Sequence, residues 1–243
     1  ADWMADYYED IEKFPVKSQV LPGEIGAKLT LFPPAESEDM ENIFIDFREI
    51  ILPGITHWQS PYFFAYFPAN GSFPSILGEM LTAALGAQCM IWETSPAAAE
   101  LEERVMDWLK QMTGLPQSWS GVIQVTASTS TLAAILSARE KYSGFGVNNA
   151  GFAGYEGLRV YCSTETHSSI EKAVKIAGIG RQHLVKVQVD DQFRMDVKAL
   201  RKAITCDLEA GFKPCCVVAT LGTTGSTSVD SLSEIAGICR EFN

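Results

Sequence analysis

From Gly121 onward the chain repeats one pattern: a short apolar or β-branched run, a polar turn, then a stretch with helical periodicity. The runs at 122–126, 158–162, 184–189 and 215–220 read as strands, each followed by helical spacing: 132–142, the segment after His167, 196–208 and about 230–241. Parallel strands need a long crossover, and crossover helices cover the faces of the sheet they connect. The pattern therefore specifies an α/β fold with a mostly parallel sheet covered by helices. In such sheets, ligands bind in the crevice at the carboxyl ends of the strands. The Gly- and Asn-rich stretch 142–157 interrupts the pattern and reads as a mobile loop.

Three of the expected strand ends carry polar residues. Ala127-Ser-Thr-Ser-Thr131 leads into a helix, where free N–H groups, small side chains and hydroxyls could cradle an anion. The plainer reading is a Ser/Thr helix cap. His167 stands where the polar turn Ser163–Thr166 becomes a helix, and on position alone a solvated cap is the better account. Gly222-Thr-Thr224 ends the last strand. Converging on one crevice, these ends suit a phosphate-bearing cofactor with a flat ring: cradle for phosphate, His for stacking or polarising, Thr near a ring substituent. No Walker loop, GxGxxG, HExxH, Cys/His cluster or GxSxG is present, which weakens nucleotide, metal and serine-hydrolase readings.

The first sixty or so residues differ. Residues 2–14 are amphipathic, with Trp3, Met4, Tyr7, Tyr8 and Ile11 on one side; 15–34 is extended and turn-rich; a second helix spans about 38–51 and stops at Pro53-Gly54. Two helices and an arm cannot bury their aromatic faces on each other alone, so the segment should pack on something else, such as a second subunit. The run 57–68 is bounded by prolines and dense in aromatics. It is either a structural plug or the wall of a pocket for an apolar or aromatic ligand. A turn at 68–73 and a helix over about 74–85 follow. Residues 97–112 are the clearest helix: Ser95 is placed to cap it, Pro96 fits its first position, and Gly114 can end it.

The composition is 47% hydrophobic, which supports a packed core, and the formal charge of −11 without a basic run disfavours nucleic acid and anionic membranes as partners. The six cysteines show no metal-like spacing with the three histidines, so free and mostly buried thiols in a reducing, cytoplasmic setting are expected. Cys215 and Cys216 should face opposite sides of a strand. No signal peptide stands at Ala1, which is not a natural start, and no apolar run is long enough to span a bilayer.

Taken in order, Thr56-His-Trp-Gln-Ser-Pro-Tyr-Phe-Phe-Ala-Tyr-Phe-Pro68, Ser95-Pro-Ala-Ala-Ala-Glu-Leu-Glu102, Gly121-Val-Ile-Gln124, Thr164-Glu-Thr-His-Ser-Ser169 and Val218-Ala-Thr-Leu-Gly-Thr-Thr224 closely resemble the group II pyridoxal-phosphate decarboxylases, nearest to the aromatic-L-amino-acid branch. The likeness covers essentially the whole chain. It implies a fold type I, aspartate-aminotransferase-like large domain begun within residues 61–243, preceded by a helical segment (1–60) that packs across a homodimer. It implies amino-acid decarboxylation, a step of carboxylic acid metabolism, by a carboxy-lyase. Pyridoxal 5'-phosphate would lie beneath His167, the catalytic candidate, with its phosphate held by Ala127 and Ser128 beside Thr126. Thr224 would approach the ring. Tyr66, Phe67, Pro68, Ala69 and Trp92 would line the substrate side. No metal is implied.

Departures from the family pattern qualify this. The aspartate that pairs with the pyridine nitrogen and the imine-forming lysine are not in these 243 residues, and Asn243 is expected to fall in mid-sheet. The chain therefore reads as a large N-terminal piece, expected to be inactive by itself. Thr129-Ser130 replaces the usual Glu-Ala; Ala69, Gln88 and Met90 are unusual at pocket positions and leave the amino acid open. An aromatic aldehyde synthase, a histidine decarboxylase and a non-catalytic dimeric homologue remain as rivals.

Overall fold

The computed structural model describes residues 2–69 and 71–242, so the expected position of Asn243, and Asn70 in the turn at 68–73, lie outside the described residues. Packing divides the chain into two compact units, Ala1–Ala87 and Gln88–Asn243. The break falls later than the change of composition near residue 60: side chains tie the aromatic run to the turn that follows it, and the amino-terminal helix to both the run, through Tyr7 and His57, and the next helix. Gln59 donates to the Ala69 carbonyl (2.8 Å) and accepts from the Gly71 amide (2.9 Å). Tyr8 packs on Phe73, with ring centroids 5.5 Å apart.

The first unit contains α1 (Asp2–Glu9), α2 (Glu24–Lys28), α3 (Met40–Asp46) and α4 (Phe73–Leu85). Beyond α3 the backbone widens into a π-helical turn, Phe47–Ile51, and stops at Leu52–Gly54, where Pro53 and Gly54 prevent continuation. The aromatic side of α1 packs edge-on against this helix, Trp3 to Phe47 at 5.2 Å and to Phe44 at 5.7 Å. Tyr7 is bonded to His57 Nδ1 (2.8 Å), with the Phe14 ring on the imidazole. Burial raises the Tyr7 hydroxyl above the usual phenol range and lowers His57 below the usual imidazole value. Among the described residues of this unit, Ile11, His57 and Ser60 alone are buried. α4 begins with a capping box, Ser72 and Ser75 each bonding the other's amide, and ends at Gly86 in the left-handed region.

The second unit runs α5 (Pro96–Met112), α6 (Ala127–Ser143), α7 (Gly146–Ala150), β1 (Leu158–Ser163), α8 (Ser169–Ile176), β2 (Leu184–Val187), α9 (Val197–Glu209), β3 (Lys213–Val218) and α10 (Leu232–Glu241). The strands form a three-stranded parallel sheet in the order β2-β1-β3. Side chains alternate across it. Leu158, Val160 and Cys162 of β1 join Ile135 of α6 and Ile170, Ala173 and Val174 of α8 on one face. Tyr161 joins Leu200 and Ile204 of α9 and Ile235 and Ile238 of α10 on the other.

Several sequence expectations are corrected. Residues 122–126 are not a strand: Val125 is 93% exposed, and the Ile123 amide donates to the Glu102 side chain (2.7 Å) instead of a neighbouring strand. A strand exists only where a ladder satisfies its backbone, and no described strand lies alongside. The turn at 127–131 is helical, so α6 starts earlier than expected. Ser95 makes no side-chain cap to α5. The stretch 142–157 is not a plain loop: it carries α7, buries Val147, and lays Phe152 under Arg139. Cys215 and Cys216 both pack on the α6/α8 face, because a register shift between Arg159 and Val160 inserts a bulge at this point. All six cysteines are free, but Cys89, Cys206 and Cys239 are exposed, so the thiols are not mostly buried. Burial pushes the Cys215 thiol up to about 11 and the Cys216 thiol to about 12, which keeps both protonated.

A polar network closes the amino-terminal end of the sheet. The Tyr161 hydroxyl donates to Asp207 Oδ2 (2.8 Å), Arg159 Nε lies 3.4 Å from Asp207 Oδ1, and the guanidinium sits over Phe212 at 3.6 Å. Burial, and then Asp207, hold the Tyr161 phenol far above its ordinary value. Tyr161→Phe is expected to destabilise the protein by about 1–2 kcal/mol, seen as a lower urea midpoint with unchanged slope.

Candidate functional site

The segments that leave the opposite, carboxyl end of the sheet carry His167 and Thr224. β1 and β3 are adjacent and parallel, so the turn leaving Ser163 and the loop leaving Val218 emerge side by side. α6 packs against α8 and β3. The sheet therefore places two of the three polar ends next to each other. The third arrives through helix packing, not through a strand of its own.

Thr126 is the N-cap of α6. Its hydroxyl accepts from the Thr129 amide (3.2 Å), and the Thr129 hydroxyl accepts from the Thr126 amide (3.1 Å). This capping box was not legible because the pattern sought has Glu or Gln at the fourth position. It commits the Thr126 hydroxyl to the helix. The Ala127 and Ser128 amides and the Ser128 hydroxyl, all exposed, have no partner among the described residues. Two free amides and a hydroxyl at the positive end of a 17-residue helix form a donor set suited to phosphate.

His167 is exposed, and its ring is fixed from one side. The Ser169 amide donates to Nδ1 (3.2 Å), and the Ser169 hydroxyl lies 3.0 Å from the same atom. The imidazole thus caps α8, as the position suggested, while Nε2 has no partner among the described residues. The bond between Ser163 and Thr166 hydroxyls (3.0 Å) closes the turn that delivers it.

Thr224 is exposed, and its hydroxyl is without a partner among the described residues. The loop that bears it is rigidly tied. Thr223 is buried and bonded to Ser226 Oγ (2.6 Å) and the Ser228 amide (3.2 Å). Asp230, 2% exposed, accepts from the Thr220 amide through Oδ2 (2.8 Å) and from the Met195 amide through Oδ1 (2.7 Å). Ser228 Oγ donates to the Gln192 carbonyl (2.9 Å). Asp230 and Ser169 were not singled out from sequence, where each reads as an ordinary helix-start residue.

Trp92 is exposed and donates from Nε1 to Glu100 (3.2 Å). In the first unit Tyr66 adopts φ 59°, a conformation that a bulky residue rarely takes, and stacks on Trp58 at 5.6 Å. Phe67, Pro68 and Ala69 are exposed, as is Phe64 at 90%. The aromatic run is thus not a buried plug in this unit. A concavity of about 560 Å³ between the α5 face and Leu115–Gly121 has none of these residues in its lining. No group of side chains able to hold a metal occurs among the described residues, and none of their helices is long and apolar enough to cross a membrane.

The parallel sheet with its polar carboxyl end defines an α/β protein, and known proteins carry the assignment further. The pyridoxal-dependent decarboxylase conserved domain matches residues 22–243. Tyrosine decarboxylase 2 of Narcissus pseudonarcissus is 42% identical over 247 residues, 98% of this chain and 49% of that protein. Phenylacetaldehyde synthase of Arabidopsis thaliana is 42% identical over 245 residues, again 98% and 49%. Among solved structures, Catharanthus roseus tryptophan decarboxylase in complex with L-tryptophan superposes with a TM-score of 0.93 at 38% identity, over 99% of this chain and 52% of that one. The chain belongs to the pyridoxal-dependent decarboxylase family, and it spans about half the length of these relatives.

Proposed function

We propose that the whole protein decarboxylates an aromatic L-amino acid to its amine and CO2 with pyridoxal 5'-phosphate. Family membership supports the chemistry. The observation that carries it to this chain is the pair of unpartnered amides at Ala127 and Ser128, on a helix packed beside the one that His167 caps. When bound, the cofactor would supply the electron sink for the pair left on the α-carbon as CO2 departs. In this reading Ala127 and Ser128 hold the phosphate, with Thr126 shaping their turn through the capping box. His167 lies against the ring, and Thr224 approaches a ring substituent. Tyr66, Phe67, Pro68, Ala69 and Trp92 contribute to the substrate side. The sparse core of the first unit supports a homodimer, and six free cysteines fit a cytoplasmic setting.

A second reading has one specific support: an aldehyde synthase is among the relatives that match as well as the decarboxylases do. There the amino acid, with O2 and water as co-reactants, would give the aldehyde, CO2, ammonia and hydrogen peroxide. The intact protein, supplied with cofactor, should show a visible absorbance band that borohydride abolishes without unfolding; absence of that band would overturn the cofactor assignment. Dihydroxyphenylalanine, tyrosine, tryptophan, phenylalanine and histidine, assayed for CO2 and for peroxide, would then identify the substrate and separate amine from aldehyde formation.

A further inference from the structure

The two bonds at His167 Nδ1 have a chemical consequence. A backbone amide can only donate, so the Ser169 N–H at 3.2 Å requires Nδ1 to be an acceptor. The Ser169 hydroxyl, 3.0 Å from the same atom, satisfies it as a second donor. A neutral imidazole carries one proton; with Nδ1 accepting, that proton resides on Nε2.

Ser169 is well placed to impose this. It is the first residue of α8, where the amide has no helical acceptor of its own, so its donation to His167 sacrifices no helix bond. The residue is buried, and Ile170, Ala173 and Val174 lock the following turn into the core. The donor pair is therefore anchored to the core, while His167 itself is exposed and its Nε2 has no partner among the described residues.

We propose that Ser169 is a positioning residue for His167, fixing the Nε2–H tautomer so that the ring presents an N–H donor to an acceptor on the bound ligand. A carboxylate or ring oxygen is the chemistry such a donor recognises. Ser169 itself touches no reacting atom; it acts through the imidazole. The role rests on the proposed placement of His167 against the cofactor, but the tautomer can be read independently of it.

The test is imidazole nitrogen NMR of the intact protein with ring-labelled histidine, recorded well above the ordinary histidine pKa. His167 signals are assigned by their loss in His167→Gln. The wild type is expected to show His167 almost entirely as Nε2–H. Ser169→Ala, which keeps the amide and removes the hydroxyl, should lower the ratio of Nε2–H to Nδ1–H about fivefold, as loss of one neutral hydrogen bond implies. Ser169→Thr, which retains a hydroxyl, should restore it. A wild-type ring with the proton on Nδ1, or a ratio indifferent to Ser169→Ala, would overturn the proposal. Should Ser169→Ala fail to fold, the wild-type tautomer decides alone. The visible band reports on the cofactor separately, so a correct tautomer without a band would condemn the decarboxylase reading and leave the Ser169 geometry standing.

Discussion

Asp230→Ala is expected to lower the stability of the protein by about 3 kcal/mol, the largest effect of any single polar substitution in the second unit. The reason is the number of buried groups it would orphan. Asp230 is almost inaccessible, and its two carboxylate oxygens accept from the Thr220 and Met195 amides, at 2.8 and 2.7 Å. Alanine leaves both N–H groups unpaired in a region where Met195 is itself buried. Asp230→Asn should be intermediate, since one oxygen is kept and an NH2 is turned against the other amide. Urea denaturation measures the loss. Hydrogen exchange localises it: the Thr220, Thr223 and Met195 amides should exchange faster in Asp230→Ala, while β1 stays protected. An unchanged urea midpoint would show that water satisfies the clamp. The functional corollary is that Thr224 sits on a loop held at both ends, Thr220 by Asp230 and Ser228 by Gln192.

In the proposed placement of His167 against the cofactor, His167→Ala should lower kcat/KM of the intact protein ~100-fold or more, because a ring that set the orientation of the reacting group would act on the barrier as well as on binding. Cofactor affinity should fall less, roughly threefold to tenfold, the worth of one aromatic stacking contact. His167→Phe separates two functions of the side chain. A phenyl ring can stack but has no N–H, so it should recover affinity for pyridoxal phosphate without recovering turnover. Equal recovery of both would mean that stacking alone matters and that the Nε2 proton is idle. Affinity can be followed by titration of the visible band, and turnover by CO2 release.

The candidate site was partly legible in the sequence because its polar residues follow apolar runs at βα spacing. His167, Ala127, Ser128 and Thr224 could be placed at the ends of strands or the starts of helices from local pattern. Their partners could not. Ser169 lies only two residues from His167, yet nothing in the string Thr-His-Ser-Ser indicates which serine meets the ring. Asp230 bonds across 35 residues to Met195, a pairing that only the return of the chain produces. The expected strand at 122–126 failed for a related reason: apolar alternation describes a willingness to pair, while pairing itself requires a neighbour.

The sequence by itself determined the class of the second unit, because strand and helix periodicities differ and their alternation admits few topologies. The order of its motifs determined the family. It also determined the helix stops at Pro53-Gly54 and Gly144, where backbone chemistry is local. Tertiary structure decided what depends on residues far apart: the sheet order β2-β1-β3, the bulge that turns Cys215 toward the same face as Cys216, and the Asp230 clamp under the Thr224 loop. Propensity and periodicity act over one or two turns of chain. Hydrogen-bond satisfaction acts wherever folding brings a donor within 3 Å or so of an acceptor.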